Sequence, residues 1–256
     1  MWRRDAGRGH HEWVVTYVEQ AKAAFRGGHT ELLEALSRAE IVRARAAGDV
    51  PGELAAVCML ARACIRRHDF AAAEQLARRG RRLAESRPDR NLLQTPLHIQ
   101  AAVARMSGDL TSARALYRES IQLNESIGEP RMAIMERHNL GYVELHLGDV
   151  ATAHDLFTAA RTQALRLGYT DQLAEMALGA AVVSCAGGDP ERAASLLGAS
   201  DKDYDNHGRI PDPDDAAERR RLVDAIRRVM SREAFDAAYA MGATVSLPKA
   251  LRDWPR

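Results

Sequence analysis

Small apolar residues recur along this chain at a fixed interval. Ala21, Ala61, Ala101, Gly141 and Ala181 stand 40 residues apart, and Ala73, Ala113, Ala153 and Ala193 repeat at the same spacing. Three places after the second set comes a leucine: Leu76, Leu116, Leu156 and Leu196, with Leu33 and Leu36 filling the two places loosely in the first repeat. The polar interruptions keep the same phase. Asp69, Asp109, Asp149 and Asp189 follow Gly108, Gly148, Gly188 or, once, His68, and Gly28-His29 falls one period earlier. Glycine closes a helix by turning left-handed, and aspartate accepts from the free amides that open the next one. His68 replaces glycine where histidine is tolerated at positive φ. Each period is therefore a helix, a tight turn and a second helix. Fixed small residues let the two helices approach, and the leucine fills the space between them.

Five such pairs are predicted: 12–27 with 30–47, 51–67 with 69–87, 91–107 with 109–127, 130–147 with 149–167, and 170–187 with 189–200. Residues 1–11 are expected to be a flexible N-terminus. The run "DKDYDNHGRIPDPDD" is rich in Asp, Pro and Gly, which predicts a linker loop over 201–213. Residues 214–256 are expected to hold two amphipathic capping helices and a tail, because a solenoid must close its open apolar end. Ser231 is placed to cap the second of them.

The repeat resembles the tetratricopeptide pattern. Leu140, Gly141, Gly148, Ala153, Phe157 and Ala160 occupy its signature small and large positions. Arg137 and Glu144 stand where the signature aromatics would be, and the period is longer than the usual 34. The closer likeness is to the long, divergent repeats of bacterial signalling regulators. That resemblance implies an all-α, right-handed superhelical solenoid of five helix pairs with a C-terminal two-helix cap.

The C-terminal stretch carries a second resemblance. Leu196, Leu197, Gly198, Glu218, Phe235, Ala238, Gly242, Leu247 and Ala250 match the end of the repeat segment in large actinobacterial transcription regulators of the LuxR-type and related STAND ATPase classes. In that family the ATPase and DNA-binding parts lie elsewhere in the polypeptide. The resemblance implies a regulatory, protein-binding role in transcription or signalling.

Composition narrows the picture further. The chain has 256 residues, of which 46% are hydrophobic and only 5% aromatic, a mixture that suits helices. Its formal net charge of +1 gives no reason to expect nucleic acid or an anionic membrane as partner. Arginine outnumbers lysine 33 to 3, a bias that a GC-rich genome produces without functional meaning. Cys58, Cys64 and Cys185 lie in apolar helical contexts, where reduced buried thiols are ordinary. The opening "MWRRDAGRGHHEW" has no apolar run behind its arginines, and no apolar segment reaches the roughly 20 residues of a membrane helix. A cytoplasmic location is expected.

No catalytic constellation emerges, so no enzyme, cofactor or metal is expected. The chain has no Gly-Lys dipeptide and hence no P-loop. The start "HEWVV" at His11 lacks the second histidine of a zinc protease, since Val15 stands there, and there is no Gly-x-Ser-x-Gly elbow. His146, Asp149, His154 and Asp155 have ligand chemistry, but Asp149 is engaged as a cap. The arginine run from Arg78 to Arg87 reads as a solvated helix face, with phosphate contact as the alternative.

What remains is surface. First helices of a tetratricopeptide solenoid build its concave face, and the groove positions here would be Lys22, Arg26, Arg62, Arg66, His98, Arg105, His138, Tyr142, His146 and Glu175. His98 and His138 are one period apart, as are Lys22 with Arg62 and Arg26 with Arg66. A cationic groove suits an acidic peptide segment or an anionic small ligand. The leading expectation is a non-catalytic scaffold for protein–protein interaction. The alternatives are an inducer-binding sensor module and an accessory protein of a biosynthetic pathway. So few aromatics make an enclosed ligand pocket hard to assemble, which favours a protein partner.

Overall fold

Among the described residues, 8–252 of the computed structural model, the chain forms thirteen α-helices and no strand. Side chains are described from Tyr17 onward. The helices are α1 (Arg8–Arg26), α2 (Thr30–Ala47), α3 (Val50–Arg66), α4 (Phe70–Glu85), α5 (Gln94–Ser107), α6 (Leu110–Ser126) and α7 (Pro130–His146), followed by α8 (Val150–Leu167), α9 (Leu173–Ala186), α10 (Pro190–Asn206), α11 (Pro213–Val229), α12 (Arg232–Gly242) and α13 (Leu247–Arg252). Consecutive helices pack as pairs, the all-α repeat architecture that the period predicts. Two compact units divide between Val103 and Ala104, inside α5.

The turns explain the period and refine it. Left-handed backbone recurs every 20 residues: Gly28, Gly48, His68, Gly108, Gly128, Gly148, Gly168, Gly188 and Gly208 all have φ between 58° and 88°. Only Pro88 breaks the series, and there a 3₁₀ turn over Arg90–Leu93 leads into α5. After every such residue but Gly108 the next amide donates five residues back, as from Asp49 to the Ala44 carbonyl at 2.9 Å and from Asp149 to that of Glu144 at 2.9 Å. This bond satisfies a carbonyl that the helix end would otherwise leave open. Asp49, Asp69, Asp109, Asp149 and Asp189 then each accept from the backbone amide three residues on, at 3.0 Å. Ser231 caps α12 in the same way, at 3.2 Å from the Ala234 amide.

Packing follows the small columns closely. Ala21, Ala61, Ala101 and Ala181 have no exposed surface, and neither have Ala73, Ala113, Ala153 and Ala193. The leucine column is less interior than expected, since Leu76, Leu116 and Leu156 are only half-buried. The next column along, Ala77, Tyr117, Phe157 and Leu197, is the buried one. A helical face is about 100° wide, so neighbouring positions compete for its centre. Gly141 serves that column directly: a Cβ there would lie 2.8 Å from the Phe157 ring.

Three boundaries differ from expectation. Of the N-terminus, residues 1–7 lie outside the described residues, while 8–11 already belong to α1. The expected linker from 201 is helical as far as Asn206, because the charged "DKDYDN" contains no helix breaker and Tyr204 packs inward; the breakers Gly208, Pro211 and Pro213 come later. The C-terminal part holds three helices where two were expected. α12 lies against α10, and α11 and α13 lie against α9. Every residue of the C-terminal resemblance except Ala250 is buried in or against this assembly. No described helix is long and apolar enough to cross a membrane.

Candidate functional site

The ten groove positions separate into two environments. In the first unit, Lys22 and Arg26 of α1 are exposed, and Arg62 and Arg66 of α3 are half-buried. Both α3 arginines stack on Phe25, with guanidinium carbons 5.2 and 4.8 Å from the ring centroid. Arg66 also donates to the Phe25 carbonyl at 3.2 Å. Stacking of this kind holds a guanidinium in place without neutralising it. Lys22 reaches Glu19 only at 4.0 Å with both groups exposed, a contact worth little. Among the described residues neither Arg26 nor Arg62 is in an ion pair. The two cationic ladders expected along these helices are thus positioned on adjacent first helices. His98, half-buried in α5, belongs to this unit too.

In the second unit the same kind of face is covered. Arg105, His138 and Tyr142 have 4%, 0% and 0% of their surface exposed. They do not line an open groove, which corrects their assignment as surface groups. Glu175 is buried as well, and His146 is mostly covered. For Arg105 and His146 the physical reason is α11, whereas His138 is enclosed by the Tyr142 and Phe157 rings and by α9 at Gly179. The first turns of α11 carry Asp214, Asp215 and Glu218, and they lie over Arg105 and His146. Asp214 pairs with Arg105. Glu218 accepts from His146 Nε2 at 3.1 Å and from Arg221 at 2.9 Å. Glu175 is held at 2.7 Å by Arg209, whose guanidinium also stacks 5.2 Å from the Tyr204 ring.

Burial and charge act against each other throughout this cluster. Burial pushes the Glu218 carboxyl up, but His146, Arg105 and Arg221 outweigh it and hold the group below its usual range. Asp215 has no such compensation: burial, then Asp214 and Glu175, drive its pKa well above the ordinary carboxylate value, with Arg105 opposing. Burial raises Glu175 too, and Arg209 only partly offsets it. Several buried polar atoms, including the Tyr117 and Tyr142 hydroxyls and Asp215 Oδ1, have no hydrogen-bond partner among the described residues. Such groups make an interface costly to keep closed.

His138 sits among rings, 5.1 Å from Tyr142 and 5.0 Å from Phe157 between centroids. Gly179 makes room for it, since a Cβ there would approach His138 Cε1 to 2.6 Å. Burial, with a smaller contribution from Arg105, lowers its pKa to about 3. A folded pKa below the unfolded value of roughly 6.5 means the stabilisation is complete above that value and is lost as pH falls towards 3. His138→Leu should therefore flatten the acid side of the stability profile between about pH 6.5 and pH 3. Thermal melts of the variant and the parent across that window test this, and parallel profiles would refute it.

The histidine–aspartate group around the α7–α8 turn does not converge. Asp149 caps α8, His146 is turned to Glu218, and His154 lies 3.6 Å from Asp155 on the open side of α8. No group of three or more candidate metal ligands occurs among the described residues. The docking of the acidic first turns of α11 is the feature that the expected linker and cap do not contain. Its signal lies in "PDPDDAAE", four carboxylates with no cation at the junction of the two.

No family model matches the chain, and no curated protein is similar enough in sequence to count as a relative. Among solved structures, BtubC (BKLC) from P. vanneervenii superimposes with a TM-score of 0.60 at 16% identity, covering 89% of this chain and 94% of that one. At that identity the likeness concerns the fold alone.

Proposed function

We propose that the chain is a non-catalytic helical-repeat module that binds an acidic segment of a protein partner on the first-helix face of its first unit, in a regulatory role. The supporting observation is α11. In the second unit, a first-helix face engages a carboxylate-rich helical turn through Arg105 and His146. His146 occupies the same place in the repeat as Arg26 and Arg66, and Tyr142 the same place as Lys22 and Arg62. The first unit presents cations in those two columns, where the second presents a histidine and a tyrosine. Cations held near one another repel until an anion arrives, so carboxylates are the natural complement. The resemblance to regulator repeats gives the reading its biological setting.

A labelled octapeptide copying residues 211–218 is a direct probe. Its fluorescence anisotropy should report binding that weakens at least fivefold when Arg62 and Arg66 are both replaced by alanine, and that weakens again as salt rises. Equal affinity of the double variant and the parent at low salt would show that this face is not the site.

A further inference from the structure

The arginine run of α4 has no role in that reading, yet it faces a defined space. A trough of about 600 Å³ on the first unit is lined by Arg78, Arg79 and Arg82 of α4, by Arg38 of α2 and by Arg67 at the end of α3. Five guanidinium groups from three helices thus meet around it. The acidic lining is Glu34 and Asp69, and both are already engaged. Glu34 takes two bonds from Arg67 at 3.0 Å, and Asp69 caps α4 through the Ala72 amide. Glu74 holds Arg78 at 2.6 Å, and Glu53 holds Arg79. Arg38 and Arg82 are exposed and, among the described residues, in no ion pair. With Glu53 and Glu74 counted, five cations face four carboxylates, so the excess is a single positive charge and rests on Arg38 and Arg82. Its floor is apolar, from Leu60, Leu76 and the Cys64 side chain, whose thiol burial keeps above its usual pKa and hence neutral.

We propose that this trough binds a small, multiply charged phosphate compound. Guanidinium forks match phosphate oxygens in pairs, and the volume lies within the roughly 300–1,000 Å³ of small-ligand sites. Two unpaired guanidiniums beside three paired ones call for several phosphate oxygens in a short span. An extended peptide advances about 3.3–3.6 Å per residue and spreads its carboxylates beyond the trough, whereas linked phosphates concentrate them. Apolar contact with the floor then suits a neutral portion of the ligand. The site is separate from the first-helix face, so each can fail without the other.

Isothermal titration with tripolyphosphate at low salt tests the assignment. One tripolyphosphate should bind per chain, and Arg38→Ala with Arg82→Ala should weaken it at least tenfold. Both residues are exposed and outside ion pairs, so the melting temperature should not move. The Arg62→Ala, Arg66→Ala variant should bind tripolyphosphate like the parent. Absence of saturable binding would overturn the proposal, and so would less than a twofold loss in the Arg38, Arg82 variant. A hexaglutamate peptide that binds this trough more tightly than tripolyphosphate would also overturn it, assigning the trough to an acidic protein segment.

Discussion

Replacing Gly242 by alanine should detach the C-terminal helices from the second unit. α10 and α12 cross with their backbones in contact. A Cβ on Gly242 would lie 1.8 Å from the Ser195 carbonyl oxygen, and one on Gly198 would lie 2.1 Å from that of Tyr239. Neither obstacle is a flexible side chain that could swing aside, so α12 itself must move. Phe235 and Ala238 then lose their burial, and the Tyr239 hydroxyl loses its 2.8 Å bond to Asp201. The cost should reach the top of the roughly 1–3 kcal/mol typical of overpacking. Hydrogen exchange across residues 213–252 reports the detachment, and denaturant unfolding reports the stability. Gly128→Ala is the control, because that site has φ +75° with nothing near its Cβ and should cost only about 1–2 kcal/mol of backbone strain. If Gly242→Ala is no worse than the control and leaves exchange unchanged, the crossing is not close in solution.

Arg105→Ala should be the most damaging charge deletion in the chain. The side chain is almost wholly buried beside Asp214, with Asp215 and Glu218 close enough to act on it electrostatically. Its removal leaves carboxylates in a poorly solvated place without their main cation. Breaking a buried pair from one side typically costs about 3–5 kcal/mol. The loss should also depend on pH. In the variant the buried carboxyls have folded pKa values above their unfolded ones, so the damage appears as pH rises past about 4 and fades below that value as both states protonate. Unfolding measured at pH 3.5 and pH 7 separates this from a simple cavity, which would cost the same at both.

The two faces show how far the repeat could be read in advance. Its period pairs Lys22 with Arg62 and Arg26 with Arg66, and these residues do stand at equivalent places on first helices, with Tyr142 and His146 in the same two columns further along. A period reports which side of a helix a residue occupies, because 3.6 residues per turn is a local property. It carries no information on what later covers that side. Arg105, His138 and Tyr142 lie on first helices, the expected open face, yet all three are enclosed: Arg105 against Asp214 at the start of α11, and His138 and Tyr142 against each other and Phe157. The 20-residue series of left-handed turns was legible in Gly48, Gly128, Gly168 and Gly208. The Gly-Asp half of it is the plainer one, since the glycines after second helices are followed by no constant capping residue.

The sequence by itself determined the helices, their turns and their pairing. Each of these depends on neighbours within a few residues: a left-handed glycine, a capping aspartate, an alanine that admits the next helix. Tertiary structure decided the rest. It extended α10 through a charged run, because Tyr204 found a buried place there. It made Gly198 and Gly242 a backbone crossing, brought Arg38 and Arg67 to the arginines of α4, and laid the acidic first turns of α11 over Arg105 and His146. Those juxtapositions join residues from 11 (Arg67 and Arg78) to 109 (Arg105 and Asp214) positions apart, and the free energy that selects them is apolar burial and desolvation over whole faces. Local pattern specifies the faces, and only their packing specifies which of them meet.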